Sequence, residues 1–295
     1  MPTRRSFLAG SLAFAAAPLL PAFGIEPFKR GGKQILKLSL AAYSLRTFFN
    51  KKEGEAGAID MPGFLDYCAS LGLDGAELTQ YFFPKDTTSA YLNNLKRKAH
   101  ILGLDISGGA IGNNFTVDPP DREPQMKHVR TWIDHYAALG APVIRVFAGN
   151  PPRGVSEEEA IRRAVPALEE ACEYAGKKGV MLAIENHDFT TKVDRLMQII
   201  ETIKSPWFGV NFDSGNFHSA DPYADMEKIA PYAINAQIKV EIRPEGKPKQ
   251  PADLERVMKI LKGGGYSGYV VLEYEAPEDP YKAIPKCLDQ LRKLM

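Results

Sequence analysis

Three runs in the second half of the chain climb through apolar residues and end on a carboxylate. They are Val180-Met181-Leu182-Ala183-Ile184-Glu185-Asn186-His187-Asp188, Phe208-Gly209-Val210-Asn211-Phe212-Asp213 and Tyr269-Val270-Val271-Leu272-Glu273. Short apolar runs with β-branched residues read as buried strands, not as amphipathic helices. A buried strand has no reason to end on Glu, Asp or His unless something at its end uses them. One Glu at a strand end is more often a solvated loop entrance. Three carboxylates on three late strands shift the reading to one metal ion held by Glu185, Asp213 and Glu273.

These residues need elements to position them, and the sequence supplies an alternation of strands and helices. Strands are expected at Ile35 to Tyr43, after the turn Gly72 to Gly75, and at Leu104 to Ile111 and Pro142 to Phe147. The three runs above and Asn235 to Ile242 complete eight. Helices are expected over Pro62 to Leu71, Tyr91 to Leu102, Gln125 to Leu139, Ser156 to Lys178 and Val193 to Ile203. Three more follow over Tyr223 to Ala230, Ala252 to Lys262 and Pro280 to Leu294. Ser156 followed by Glu157, Glu158 and Glu159 is an N-cap with acids suited to the positive end of a helix. This alternation predicts an α/β fold, a single (β/α)8 TIM barrel over residues 33–295. A doubly wound sheet would show a glycine-rich phosphate loop after its first strand, and Tyr43-Ser44-Leu45-Arg46 is not one. The longest irregular stretch, Ile111 to Pro124, is expected to leave the catalytic face as a loop and to serve as a lid.

In such a barrel alternate residues face inward, and sites form where the strands end. Inward sets would be Ala183, Glu185 and His187; Asn211 and Asp213; Gln237, Lys239 and Glu241; and Val271, Glu273 and Glu275. Glu77 ends the second strand and Arg145 lies on the fourth. So many polar groups in one mouth are costly to bury unless paired or bound to a metal.

The segments Ile184-Glu185-Asn186-His187, Phe212-Asp213-Ser214-Gly215-Asn216, Gln237-Ile238-Lys239 and Leu272-Glu273-Tyr274 resemble, in order, those of the xylose isomerase-like TIM-barrel family. That family includes sugar-phosphate isomerases and epimerases, inosose dehydratase and hydroxypyruvate isomerase. The resemblance spans essentially the whole mature chain and implies one divalent cation held by Glu185, Asp213, Gln237 and Glu273. Gln237 stands where epimerases of the family usually place His and hydroxypyruvate isomerases place Gln. Three carboxylates and an amide carbonyl would form an all-oxygen shell, favouring Mg²⁺ or Mn²⁺. The resemblance also implies that Glu185 and Glu273 move the proton, one removing and one returning it beside a metal-polarised carbonyl. Asn216 stands where many relatives place a substrate-contacting His. His187 reads equally as a structural residue, and Lys239 as a substrate contact or a partner of Glu241. His218 is a weaker ligand candidate, and Tyr43, though a packing type, is placed to line the mouth with Glu77.

Composition bounds the rest. The chain has 295 residues, 44% hydrophobic and 25% charged, as a soluble globular protein does. A net charge of +1 gives no reason to expect nucleic acid as a partner. Cys68, Cys172 and Cys287 are scattered and read as small residues on helix faces. At the N-terminus, Arg4-Arg5 precedes the apolar run Leu12 to Leu20, resembling a twin-arginine export signal over residues 1–24. The run is too short for a comfortable membrane anchor and is broken by Pro18 and Pro21. The expected location is the periplasm, reached through the twin-arginine export machinery. The expected activity is isomerisation or epimerisation of a small polyhydroxylated sugar or keto-acid. The runner-up is a lyase or dehydratase on keto-sugars or 3-keto-glycosides. A three-zinc phosphodiesterase of the AP-endonuclease type would need more than the five histidines present, and a non-catalytic sugar-binding protein would not need Glu185 and Glu273.

Overall fold

Each apolar run identified above becomes a strand, and each longer periodic stretch a helix, in a computed structural model that describes residues 24–52 and 54–295. The expected export signal, apart from Gly24, lies outside the described residues. In chain order the elements begin with β1 (Leu36–Ala41), α1 (Arg46–Phe49), α2 (Met61–Ser70), β2 (Gly75–Thr79) and α3 (Ser89–Ile101). They continue with β3 (Asp105–Ala110), α4 (Pro119–Leu139), β4 (Val143–Val146), α5 (Glu157–Lys177) and β5 (Met181–Glu185). Then come α6 (Val193–Ile200), β6 (Phe208–Asp213), α7 (Pro222–Ile229) and β7 (Ala233–Ile238). The two-residue strands β8 (Glu241–Ile242) and β9 (Gln250–Pro251) precede α8 (Leu254–Gly263), β10 (Gly268–Leu272) and α9 (Pro280–Leu294).

Eight strands close into a parallel barrel in the order β1-β10-β7-β6-β5-β4-β3-β2, while β8 and β9 pair antiparallel outside it. Helices α2 to α9 follow the strands, burying their apolar stripes against the barrel wall. In α5 that stripe includes Ile161, Leu168, Ala171 and Cys172, and Ser156 caps the helix by accepting the Glu159 N–H at 3.2 Å. This is the single (β/α)8 barrel that the alternation predicts. Among the described residues no helix is long and apolar enough to cross a membrane.

Three local outcomes differ from the sequence expectation. Helix α4 starts at Pro119, so the loop after β3 is short and Pro120 to Pro124 are helical rather than a lid. Proline at the first turn loses no hydrogen bond, because those N–H groups have no helical partner anyway. Strand β7 stops at Ile238, because the Lys239 N–H goes to Ser214 Oγ at 2.8 Å instead of to a neighbouring strand. Residues ahead of β1 are also held to the barrel. The Ile25 N–H donates to the Ile200 carbonyl at 3.2 Å, and Arg30 Nη2 to the Ala233 carbonyl at 2.7 Å. Those carbonyls lie at the end where the strands begin, opposite the mouth.

Register sets which side chains share a level. Glu185 lies opposite Asn211, Asp213 opposite Gln237, and Gln237 opposite Val271. On the helix-facing side of β3, Gly109 admits the ring of Tyr136 from α4, whose hydroxyl donates to the Leu78 carbonyl at 2.6 Å. A Cβ on Gly109 would sit 2.3 Å from that ring.

Candidate active site

A polar ring fills the barrel below the mouth. Asn235 Nδ2 donates to Glu77 Oε2 at 2.7 Å and to Asn211 Oδ1 at 2.8 Å. Asn211 Nδ2 donates to Gln237 Oε1 at 2.6 Å, and Gln237 Nε2 closes the ring on Glu77 Oε1 at 2.5 Å. All four side chains are buried, and each pairs with its neighbours as buried polar groups must. Burial pushes the Glu77 carboxyl up to about 7, against the two amide donors that favour its anion.

Above this ring opens a cavity of about 330 Å³, a volume suited to a small polar ligand. Glu185 and Glu273 line it, with Lys239 and Asn216 between them. Glu185 is the last residue of β5 and is held on both oxygens. Asn216 Nδ2 donates to its Oε1 at 2.8 Å, and Arg145 Nε stands 2.8 Å from its Oε2 as an ion pair. The Arg145 N–H is not aimed along hydrogen-bond geometry, so this contact is electrostatic first. Burial pushes the Glu185 carboxyl above the usual range, Arg145 pulls it back, and the nearby Glu273 adds to the rise. Arg145 also lies 4.0 Å over the ring of Phe147, which packs in turn against the His187 ring at 4.5 Å.

Asp213 ends β6, fully buried. Its backbone is tied to Asn186, whose side chain accepts the Asp213 N–H at 3.0 Å and donates to the Asp213 carbonyl at 2.9 Å. This reciprocal pair continues the β5–β6 ladder one step past the end of β5. Asp213 Oδ1 accepts the Gly215 N–H at 2.8 Å, and Oδ2 faces Lys239.

Lys239 is the hub of the mouth. Its Nζ lies 3.2 Å from Asp213 Oδ2, 3.3 Å from Glu273 Oε2 and 2.6 Å from Glu275 Oε1, and donates to Asn216 Oδ1 at 3.0 Å. Burial works against the charge on Lys239, yet these carboxylates hold its ammonium well above the usual lysine range. At Asp213 the same contact pulls the other way, because burial there favours the neutral acid while Lys239 favours the anion. The ammonium faces several carboxylates at once and keeps its charge. Glu241 pairs with Lys249 instead, at 3.4 Å, so it is not the partner of Lys239.

The structure thus brings Glu185, Asp213, Glu273, Asn216 and Lys239 together, with Tyr43, His187 and His218 on the wall of the same cavity. His218 is turned outward, its Nδ1 3.1 Å from the Arg243 carbonyl. Gln237 and Glu77 are not on that wall; they belong to the ring below. Glu275, Phe147 and Asn186 were not singled out for the site in sequence. Glu275 shares the inward alternation of Glu273, whereas nothing in sequence marks Phe147 or Asn186.

The side chains expected to hold a divalent cation are not arranged around one: Asp213 Oδ2 is buried without a hydrogen-bond partner, but it faces the Lys239 ammonium. Gln237 spends its carbonyl oxygen on Asn211, Glu185 is taken by Arg145 and Asn216, and an ammonium stands between Asp213 and Glu273. Among the described residues no three His, Cys, Asp or Glu side chains are arranged to hold a metal.

Several solved structures are similar in fold. The 3-keto-D-glucoside 4-epimerase YcjR from E. coli is 15% identical with a TM-score of 0.66, the alignment covering 88% of this chain and 100% of that one. D-psicose 3-epimerase from Clostridium cellulolyticum H10, solved with D-tagatose, is 17% identical with a TM-score of 0.59, covering 80% and 84%. An IolI protein with a bound zinc atom is 19% identical with a TM-score of 0.68, covering 88% and 96%. At these identities the likeness shows the fold. No curated protein is similar enough in sequence to match. A family model described as xylose isomerase-like TIM barrel matches residues 65–292, well over half the chain. With the closed eight-stranded barrel and that match, the chain belongs to the xylose isomerase-like TIM barrel family.

Proposed function

We propose that the protein is an isomerase or epimerase that moves a proton on the carbon beside a carbonyl in a small polyhydroxylated substrate. The observation that carries this reading is the pair of carboxylates, Glu185 and Glu273, on the wall of one cavity of about 330 Å³. Their strands, β5 and β10, are separated in the barrel by β6 and β7, so the two groups approach a ligand from different sides. One carboxylate removes the proton; the same group returns it to the adjacent carbon in isomerisation, or the other protonates the opposite face in epimerisation. Asn216 and Arg145 orient Glu185, and the Phe147–His187 stack offers an apolar flank against which a sugar ring can lie.

Deuterium exchange tests this. A panel of ketoses, aldoses and short keto-acids is incubated with the protein in D₂O and followed by NMR. We expect exchange at one carbon beside the carbonyl, together with conversion to an isomer or epimer. A 3-keto-glucoside belongs in the panel, because release of its aglycone would assign elimination, and hence a lyase. No exchange on any member would count against proton transfer altogether.

We also propose that the chain is exported by the twin-arginine route to the periplasm, on the strength of Arg4-Arg5 and the apolar run behind them.

A further inference from the structure

We propose that the ammonium of Lys239 takes, in this chain, the place of a divalent cation: it gathers the carboxylates of the mouth and meets the substrate's carbonyl oxygen as the proton leaves. The inference rests on the proton-transfer reading above and adds the group that stabilises the charge. Two separate segments converge on Nζ. They bring Asp213 at 3.2 Å from β6, Asn216 at 3.0 Å from the loop after it, and Glu275 at 2.6 Å with Glu273 at 3.3 Å from the stretch after β10. These are distances of a paired ammonium; a magnesium-sized cation would draw its oxygens in to about 2.1 Å. An ammonium and a dication cannot both occupy the space between Asp213 and Glu273.

The backbone is shaped around this lysine. Gly215 passes against its stem, and a Cβ there would lie 2.7 Å from Lys239 Cδ and 2.9 Å from its Cβ. Of the four side chains expected to ligate a metal, Asp213 and Glu273 face the ammonium. Glu185 and Gln237 are committed to other partners. The lysine is 14% exposed, and that surface lies on the cavity wall, so a ligand oxygen can reach it.

The chemistry balances without a further reagent. A carboxylate takes the proton from the carbon beside the carbonyl, and the C–H electron pair forms the C=C bond of the enediolate. The carbonyl π pair moves onto oxygen, where a Lys239 N–H receives the charge. Return of that proton by the same carboxylate to the adjacent carbon, with the hydroxyl proton passing to the other oxygen, gives the isomer and restores the base. In epimerisation the second carboxylate protonates the opposite face, and the two acids reset by exchange with water. Of the four oxygens around Nζ only Asn216 Oδ1 is met along hydrogen-bond geometry; the three carboxylates are ion pairs, and Asp213 Oδ2 has no hydrogen-bond partner. Asn216, the neutral acceptor among them, is the one an incoming oxygen displaces at least electrostatic cost.

The test reads metal uptake as well as turnover. Chelator-treated wild type, Lys239→Arg and Lys239→Met are dialysed against Mn²⁺, and bound metal and Tm are measured. Wild type and Lys239→Arg should retain far less than one equivalent, with Tm unmoved. Lys239→Met, left with unpaired carboxylates, should take up about one equivalent with a raised Tm, and should exchange deuterium roughly 10²–10³-fold more slowly without metal. Wild type that binds about one equivalent with a raised Tm overturns the inference, as does a folded Lys239→Met that refuses Mn²⁺. If Lys239→Met does not fold, the wild-type and Lys239→Arg measurements decide alone. Deuterium exchange that appears in wild type only with Mn²⁺ defeats this inference and leaves the proton-transfer reading standing. Absence of exchange on every substrate, with metal refused as expected, defeats the reading instead.

Discussion

Glu185 and Glu273 owe their positions to different devices. Glu185 is clamped on both oxygens by Arg145 and Asn216, while Glu273 is approached by Lys239. Replacing either by Gln keeps the volume and removes the base. We expect Glu185→Gln and Glu273→Gln each to lower kcat by about 10²–10⁴-fold with an unchanged circular dichroism spectrum. Near-normal turnover in either would remove that residue from the mechanism. The carboxylates were legible in sequence because an acid at the end of an apolar run has few structural explanations. The fate of Gln237 was not. Alternation gives the face a side chain shares but not its partner, and the partner that draws Gln237 down is Glu77, on a strand far back in the chain. The same limit hid the hub role of Lys239, since its carboxylates arrive from β6 and from beyond β10.

At the scale of elements, the strands were readable from apolar runs and the helices from their period, and both fell near their expected places. The misplaced boundaries have physical reasons. Pro119 and Pro120 read as breakers yet open α4, and β7 ends where Ser214 captures a backbone N–H. Strand β3 holds a feature that glycine content alone does not explain. Gly109 is fitted to the buried Tyr136 ring, whose hydroxyl is fixed on the Leu78 carbonyl, so the ring cannot retreat freely. Gly109→Ala should therefore destabilise the fold by about 2–3 kcal/mol through overpacking, read as a lower urea midpoint. An unchanged midpoint would mean that Tyr136 repacks at little cost.

For the whole molecule, the barrel presents its chemistry on one end and receives residues 25–30 on the other. With Arg4 and Arg5 both changed to Lys, we expect the protein to stay in the cytoplasm; fractionation that still finds it in the periplasm would point to another export route. The ring of Glu77, Asn211, Asn235 and Gln237 has a consequence for how the chain folds. Its carboxylate comes from the first half of the sequence and its amides from the second, with the links from Glu77 spanning 158 and 160 residues. A half-barrel ending at β4 would bury Glu77 beside no amide partner, which is costly. The ring thus works as a keystone: neither half is content until the other arrives, and a slip of one residue on β7 would turn Asn235 and Gln237 out of the interior. Assembly of the two halves is coupled at its centre, so the described barrel should unfold in urea as one cooperative unit, its two halves losing structure together.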